Sequence, residues 1–60
     1  MSYYKVMVDT LGQVYVGNNL KQATRTFEQY QSEAVELEAY DSVTLLRDGD
    51  PIREYLSEDE

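Results

Sequence analysis

Asp48-Gly49 constrains the fold of this chain more than any other pair of residues. A two-residue loop of this composition joins antiparallel strands through a turn whose central residues take positive φ. Val43-Thr44-Leu45-Leu46-Arg47, rich in β-formers, leads into it. The returning strand, Ile52 to Leu56, follows Pro51. Proline has no N–H for a ladder, so that strand should lie at a sheet edge or begin after the proline.

A second hairpin is expected at the start of the chain. In residues 3–9, Tyr4, Val6 and Val8 alternate with Tyr3, Lys5, Met7 and Asp9, the period of a half-buried strand. Thr10-Leu11-Gly12 breaks it, with Gly12 free to take positive φ. Val14 and Val16 then resume the alternation as inward residues, and Gly17 ends it. Between the hairpins, Asn18-Asn19 offers a helix N-cap. From there Leu20, Ala23, Phe27, Tyr30 and Ala34 fall three and four apart, one stripe of an amphipathic helix with Lys21, Arg25 and Glu28 on the wet side. Residues 32–41 fit two patterns. Val35, Leu37 and Ala39 alternate with Glu36, Glu38 and Tyr40, whereas Ala34 and Leu37 continue the helical stripe. A helix ending near Ser32–Glu36, followed by an irregular acidic link, is the expectation.

The order strand-strand-helix-strand-strand predicts an α+β fold: a single antiparallel sheet with one helix packed on one face. Residues 1–56 form one domain and 57–60 a frayed acidic tail. So short a chain buries only about 60% of its unfolded surface. It has neither cysteine nor histidine, so disulfides are absent and a zinc site is not expected. Six tyrosines and one phenylalanine are a large aromatic load for so small a core. They suit either a homodimer, paired through the uncovered sheet face with Tyr3, Met7 and Tyr15, or a monomer whose tyrosines lie flat with their hydroxyls in water.

Charge narrows the function. Residues 33–60 hold ten acids against Arg47 and Arg53, while residues 1–32 hold Lys5, Lys21 and Arg25 against Asp9 and Glu28, for a net charge of −7. Such a balance argues against nucleic-acid or anionic-membrane binding and favours a basic partner. No apolar run is long enough for a membrane span and the N-terminus lacks a signal-peptide pattern, so the cytoplasm is the default compartment. The serines sit in no glycine elbow and the glycines form no phosphate loop. A domain this small has little depth for a cleft, and an enzyme is not expected. Asp48-Gly49-Asp50 lacks the further acids of a calcium loop. No cofactor is expected.

The acidic half has two readings. One is a solvated surface that keeps a small protein soluble. The other is a nucleic-acid mimic: Glu36 and Glu38, if extended, with Asp41 beside them, would form a row of phosphate-like charges. Asp48, Asp50 and Glu54 would continue it around the hairpin, and Tyr40 and Tyr55 would anchor it.

Val16-Gly17-Asn18-Asn19-Leu20-Lys21-Gln22-Ala23, followed by Ser42-Val43-Thr44-Leu45-Leu46-Arg47-Asp48-Gly49-Asp50-Pro51-Ile52-Arg53-Glu54-Tyr55, resembles a group of very short acidic bacteriophage-encoded proteins of unassigned role. The resemblance covers most of the chain apart from residues 32–41 and implies a location in the host cell. The element order and acidity are also similar, by analogy, to the small phage inhibitors of uracil-DNA glycosylase, which resemble DNA electrostatically. No motif matches theirs residue by residue, so no functional residue carries over. The expectation is a phage accessory protein that blocks a host nucleic-acid-handling protein. Uracil-DNA glycosylase is favoured, and anti-CRISPR or anti-restriction activity comes next. The alternative is a small dimeric structural or assembly module.

Overall fold

The computed structural model describes residues 2–56. The tail expected over 57–60 lies outside the described residues. The elements follow the expected order: β1 (Tyr4–Val8), β2 (Gly12–Gly17), α1 (Leu20–Leu37), β3 (Ser42–Arg47) and β4 (Asp50–Leu56). They form one antiparallel sheet in the order β2-β1-β3-β4, with the helix across one face. This is an α+β fold. Pro51 sits on the edge strand β4, where a missing N–H costs no ladder bond to a further strand.

The two central strands carry the core. Val6 lies opposite Leu45, and Val8 opposite Val43. All four are buried, and Phe27 of the helix is buried with them. Ala23 and Ala34 complete the buried helix face. Their small side chains let the helix approach the sheet, so Phe27 is the one large helix side chain that is fully buried. The expected inward set of β1, Tyr4, Val6 and Val8, is the buried set.

The turn at Asp48-Gly49 has φ of 52° and 91°, the two positive values that such a tight hairpin requires. Asp48 also joins β1 to the turn. Its Oδ1 accepts the Tyr3 N–H at 2.8 Å, and its own N–H donates to the Tyr3 carbonyl at 2.7 Å.

Each hairpin holds one bulge that alternation did not disclose. Val6 pairs with Tyr15 and Met7 with Gln13, so Val14 is the extra residue of β2. In β4 the extra residue is Ile52, since Leu45 pairs with Arg53 and Leu46 with Pro51. An inserted residue reverses the parity beyond it. Val16 is therefore not inward as expected. It lies opposite Lys5 on the open face. Tyr15 takes the inward place opposite Val6 and packs against the core. Its hydroxyl donates to the Asn19 carbonyl at 3.3 Å. Gly17 accommodates it, for a Cβ there would stand 2.7 Å from the tyrosine Oη.

Asp9 ties the far end of the central pair. Its Oδ1 accepts the N–H groups of Asp41 (3.1 Å) and Ser42 (3.2 Å), and its N–H donates to the Ser42 carbonyl (3.2 Å). The Ser42 bond, ahead of the Asp41 and Thr10 bonds, holds this carboxyl below the usual aspartate range against an opposing desolvation. A carboxyl depressed in the folded state contributes stability above the unfolded pKa and loses it as pH falls through the folded value. Wild type should accordingly exceed Asp9→Asn in stability at neutral pH. The gap should close as urea melts are taken down through the aspartate range, and a gap independent of pH would contradict this.

Candidate functional site

The residues named from sequence as one row do not form one. Asp41 precedes β3 and Asp48 follows it, so seven residue steps separate them, roughly 23 Å at strand rise. Asp48 and Asp50 belong to the turn at one end of the sheet. There Asp50 pairs across the strands with Arg47, and Asp48 is occupied with the Tyr3 N–H. Glu54 stands opposite Thr44 on the open face of β4. Glu36, Glu38 and Asp41 are at the other end. The expected continuation of the row around the hairpin is corrected by the length of β3 itself.

At that far end the helix runs one residue past the expected limit, to Leu37, and Glu38 caps it in the left-handed region at φ 51°. Glu36 is thus helical rather than extended, and its Oε2 accepts the Ser32 hydroxyl at 3.4 Å. No basic residue lies in the last turn, nor anywhere between Glu28 and Arg47 in the chain. Carboxylates here face the negative end of the helix dipole, and glutamate takes a left-handed cap position that glycine fills without strain. Both choices cost stability. Glu38→Gly should therefore stabilise the fold by about 1 kcal/mol, a rise of roughly 4–8 °C in melting temperature for a domain of this size. A melting temperature that stays level or falls would show that Glu38 makes a compensating contact.

The anchors expected from sequence are not free. Tyr40 packs on the core with its ring 5.7 Å from that of Tyr30, and its hydroxyl donates to Glu33 Oε1 at 3.2 Å. Partial burial, then the Glu33 carboxylate, raises the phenol above its ordinary pKa. Tyr55 lies opposite Val43 and packs on the same core. Of the expected dimer contacts, Tyr3 and Met7 are exposed, but Tyr15 is on the helix side, moved there by the bulge at Val14.

What the far end does expose is apolar. Val35 and Leu37, off the buried stripe, are 56% and 71% accessible, with Glu36 between them and Glu38 after them. At 3.6 residues per turn they project from nearly opposite sides of the last helical turn, with the Glu36 side chain directed between them and away from the buried Ala34. The opposite end of the helix carries the reverse charge. A shallow, open groove between side chains of that one helix is lined by Leu20, Lys21, Thr24, Arg25 and Glu28. Glu28 is drawn towards Arg53 at 3.6 Å, whose guanidinium lies 4.8 Å over the Phe27 ring. Lys21 and Arg25 are left to set the sign of the groove.

Among the described residues, no three potential metal ligands converge, and no helix is long and apolar enough to cross a membrane. Compared with known proteins, the chain matches no family model, no curated protein and no solved structure.

Proposed function

We propose that this chain is a binding module without enzymatic activity, which occupies the cationic groove of a nucleic-acid-handling protein by presenting carboxylates where phosphates would lie. The observation that carries the reading is the helix end at Val35–Asp41. Glu36, Glu38 and Asp41 follow one another there without a basic neighbour in sequence, at a cost in helix stability, with Val35 and Leu37 exposed to either side of Glu36. Residues that oppose local stability are a mark of functional surface. The charges would steer the approach, and Val35 and Leu37 would supply the desolvated contact that charge alone does not give. Asp48 and Asp50, at the other end of β3, have no part in this surface.

The resemblance to short phage proteins makes host enzymes the first targets, with uracil-DNA glycosylase ahead of CRISPR effectors and restriction enzymes. The direct test is uracil release by purified glycosylase in the presence of the full chain. Inhibition that is strong at low salt and weakens steeply with added salt is expected. If the glycosylase, a CRISPR effector and a restriction enzyme all keep full activity and bind none of the chain, the mimic reading is lost.

A second reading, a dimeric assembly module, is favoured by the open sheet face, where Met7, Val16 and Leu46 lie on adjacent strands. Such a dimer would be insensitive to the acidic end and would dissociate on Met7→Lys.

A further inference from the structure

We infer that the β2 edge of the sheet is self-complementary, and that two copies of this chain pair β2 against β2 about a two-fold axis, joining their sheets into one. The hydrogen bonds of the central strands fix which way each main chain faces. The Asp9 N–H donates to the Ser42 carbonyl, and the Asp48 N–H to the Tyr3 carbonyl. Tyr3 and Asp9, and with them Lys5 and Met7, therefore turn their main-chain groups towards β3, since direction alternates along a strand. Tyr4, Val6 and Val8 turn theirs towards β2, where they meet Gly17, Tyr15 and Gly12. Gln13 and Val16, opposite Met7 and Lys5, are left with N–H and C=O directed away from β1. No further strand lies beyond them among the described residues.

The bulge decides what can meet this edge. Val14 is the extra residue between Gln13 and Val16, so the two outward-facing residues stand one position further apart than in a regular strand. A regular strand cannot match both. A second β2 can, because it carries the same extra residue. Turned about an axis between Val14 and Tyr15, it sets Gln13 against the other copy's Val16 and Val16 against the other copy's Gln13. Each pair then exchanges both of its N–H and C=O bonds. Both side chains lie on the open face, so the faces agree, and Gly12 falls opposite Gly17, where no side chain crowds the contact.

Composition and charge favour the same edge. β2 reads Gly-Gln-Val-Tyr-Val-Gly, with no charge and no proline. The other edge, β4, holds Pro51 together with Asp50, Arg53 and Glu54, the devices that keep sheets from pairing edge to edge. Copies of a chain at −7 repel one another and must approach by their least acidic flank. Residues 3–17 hold only Lys5 and Asp9, and the strand order puts β2 farthest from β4. The bonds across the axis carry no net charge. Association should therefore strengthen between about 0.01 M and about 0.1 M salt, as the screening length falls from about 30 Å to about 10 Å, and should not weaken again towards about 1 M. This pairing differs from a dimer through the open sheet face. It requires no host partner, so it stands or falls apart from the proposed inhibition.

Sedimentation velocity of the full chain over a range of concentrations tests this. Wild type should pass from monomer to dimer and stop there, since a two-fold contact uses the same edge of both copies. Val16→Pro removes a donor that faces the other copy and none that faces β1. It should weaken the dimer by at least about a hundredfold, because the loss occurs twice across the axis. Circular dichroism checks that this variant keeps its fold. Met7→Lys, on the open sheet face, should dimerise as wild type does. The register is read by disulfide formation, as the chain has no cysteine of its own. Gln13→Cys mixed with Val16→Cys should cross-link into a heterodimer under mild oxidation, for opposed Cα atoms about 5.5 Å apart are within disulfide reach. Neither variant alone should cross-link comparably. A wild type that is monomeric throughout, or whose mass climbs past the dimer, overturns the inference. So does a folded Val16→Pro chain that dimerises like wild type, a Met7→Lys chain that stays monomeric, or a mixture that cross-links no faster than its components. If Val16→Pro does not fold, the cross-linking decides by itself.

Discussion

Phe27→Ala should remove most of this protein's stability. Phe27 is 1% exposed at the centre of the helix, over the sheet positions held by Val6, Val8, Val43 and Leu45. Truncating a buried phenylalanine costs about 3–5 kcal/mol, from lost transfer energy and from the cavity left behind. A chain of 60 residues has a total stability of only about 3–9 kcal/mol. No disulfide shares the burden, and the flanking helix residues on the buried face are alanines, too small to fill the space. Urea titration followed by far-ultraviolet circular dichroism should show the cooperative transition displaced to the lowest denaturant concentrations or missing. Phe27→Leu, which retains most of the volume, should keep a transition. Arg53→Ala should cost less than about 1 kcal/mol, since a half-exposed guanidinium over a ring contributes modestly. A loss below about 1.5 kcal/mol for Phe27→Ala would mean that burial between copies, rather than this core, holds the domain together.

The part of this fold that alternation and turn chemistry govern was legible from the residues. Tyr4, Val6 and Val8 face the core because a strand has a period of two. Asp48-Gly49 makes its turn because few other pairs accept two positive φ values in succession. Ala23, Phe27 and Ala34 are buried because they share one side of a helix. The bulges at Val14 and Ile52 were not legible. An inserted residue leaves no mark in a run of β-formers, and its effect appears only when the partner strand is in place. That single uncertainty exchanged Tyr15 and Val16 between the two faces.

The site is less legible than the fold because nearness in sequence is not nearness in space. The chain after Glu33 is acidic as a whole, yet β3 crosses the entire sheet and carries Asp48 and Asp50 to the far end from Asp41. The signal was present, for a strand at 43–47 closed by a tight turn already sets that separation. Val35 and Leu37 were obscured by the double pattern of residues 32–41. Once α1 is seen to include them, their distance from the stripe of Ala23, Phe27 and Ala34 turns them outward. Tyr40 and Tyr55, expected to be anchors, are instead drawn onto the small core, which has too few aliphatic residues to close its own margins.

Reversing the charge of the acidic end should abolish partner binding and leave the protein at least as stable as before, and this opposition of effects is what separates function from architecture. Glu36→Lys with Glu38→Lys removes two carboxylates from the negative end of the helix dipole and puts cations there, worth about 0.3–1 kcal/mol each in favour of the fold. In a cationic groove the same two changes replace attraction by like-charge repulsion, which costs several kcal/mol. A loss of roughly a thousandfold in affinity is expected, since each 1.4 kcal/mol is about tenfold. Leu37→Ser should weaken binding by a smaller factor that varies little with salt, because it removes apolar contact and no charge. Asp48→Asn, at the other end of the sheet, should leave affinity unchanged within about twofold while disturbing the Tyr3 contact. Titration of each variant against purified glycosylase, or against whichever effector the inhibition assay selects, should be run beside its thermal melt. If the double lysine variant binds as tightly as wild type, the carboxylates at the helix end are only a solvated surface. If instead it melts well below wild type, those carboxylates support the fold and are not unfavourably placed.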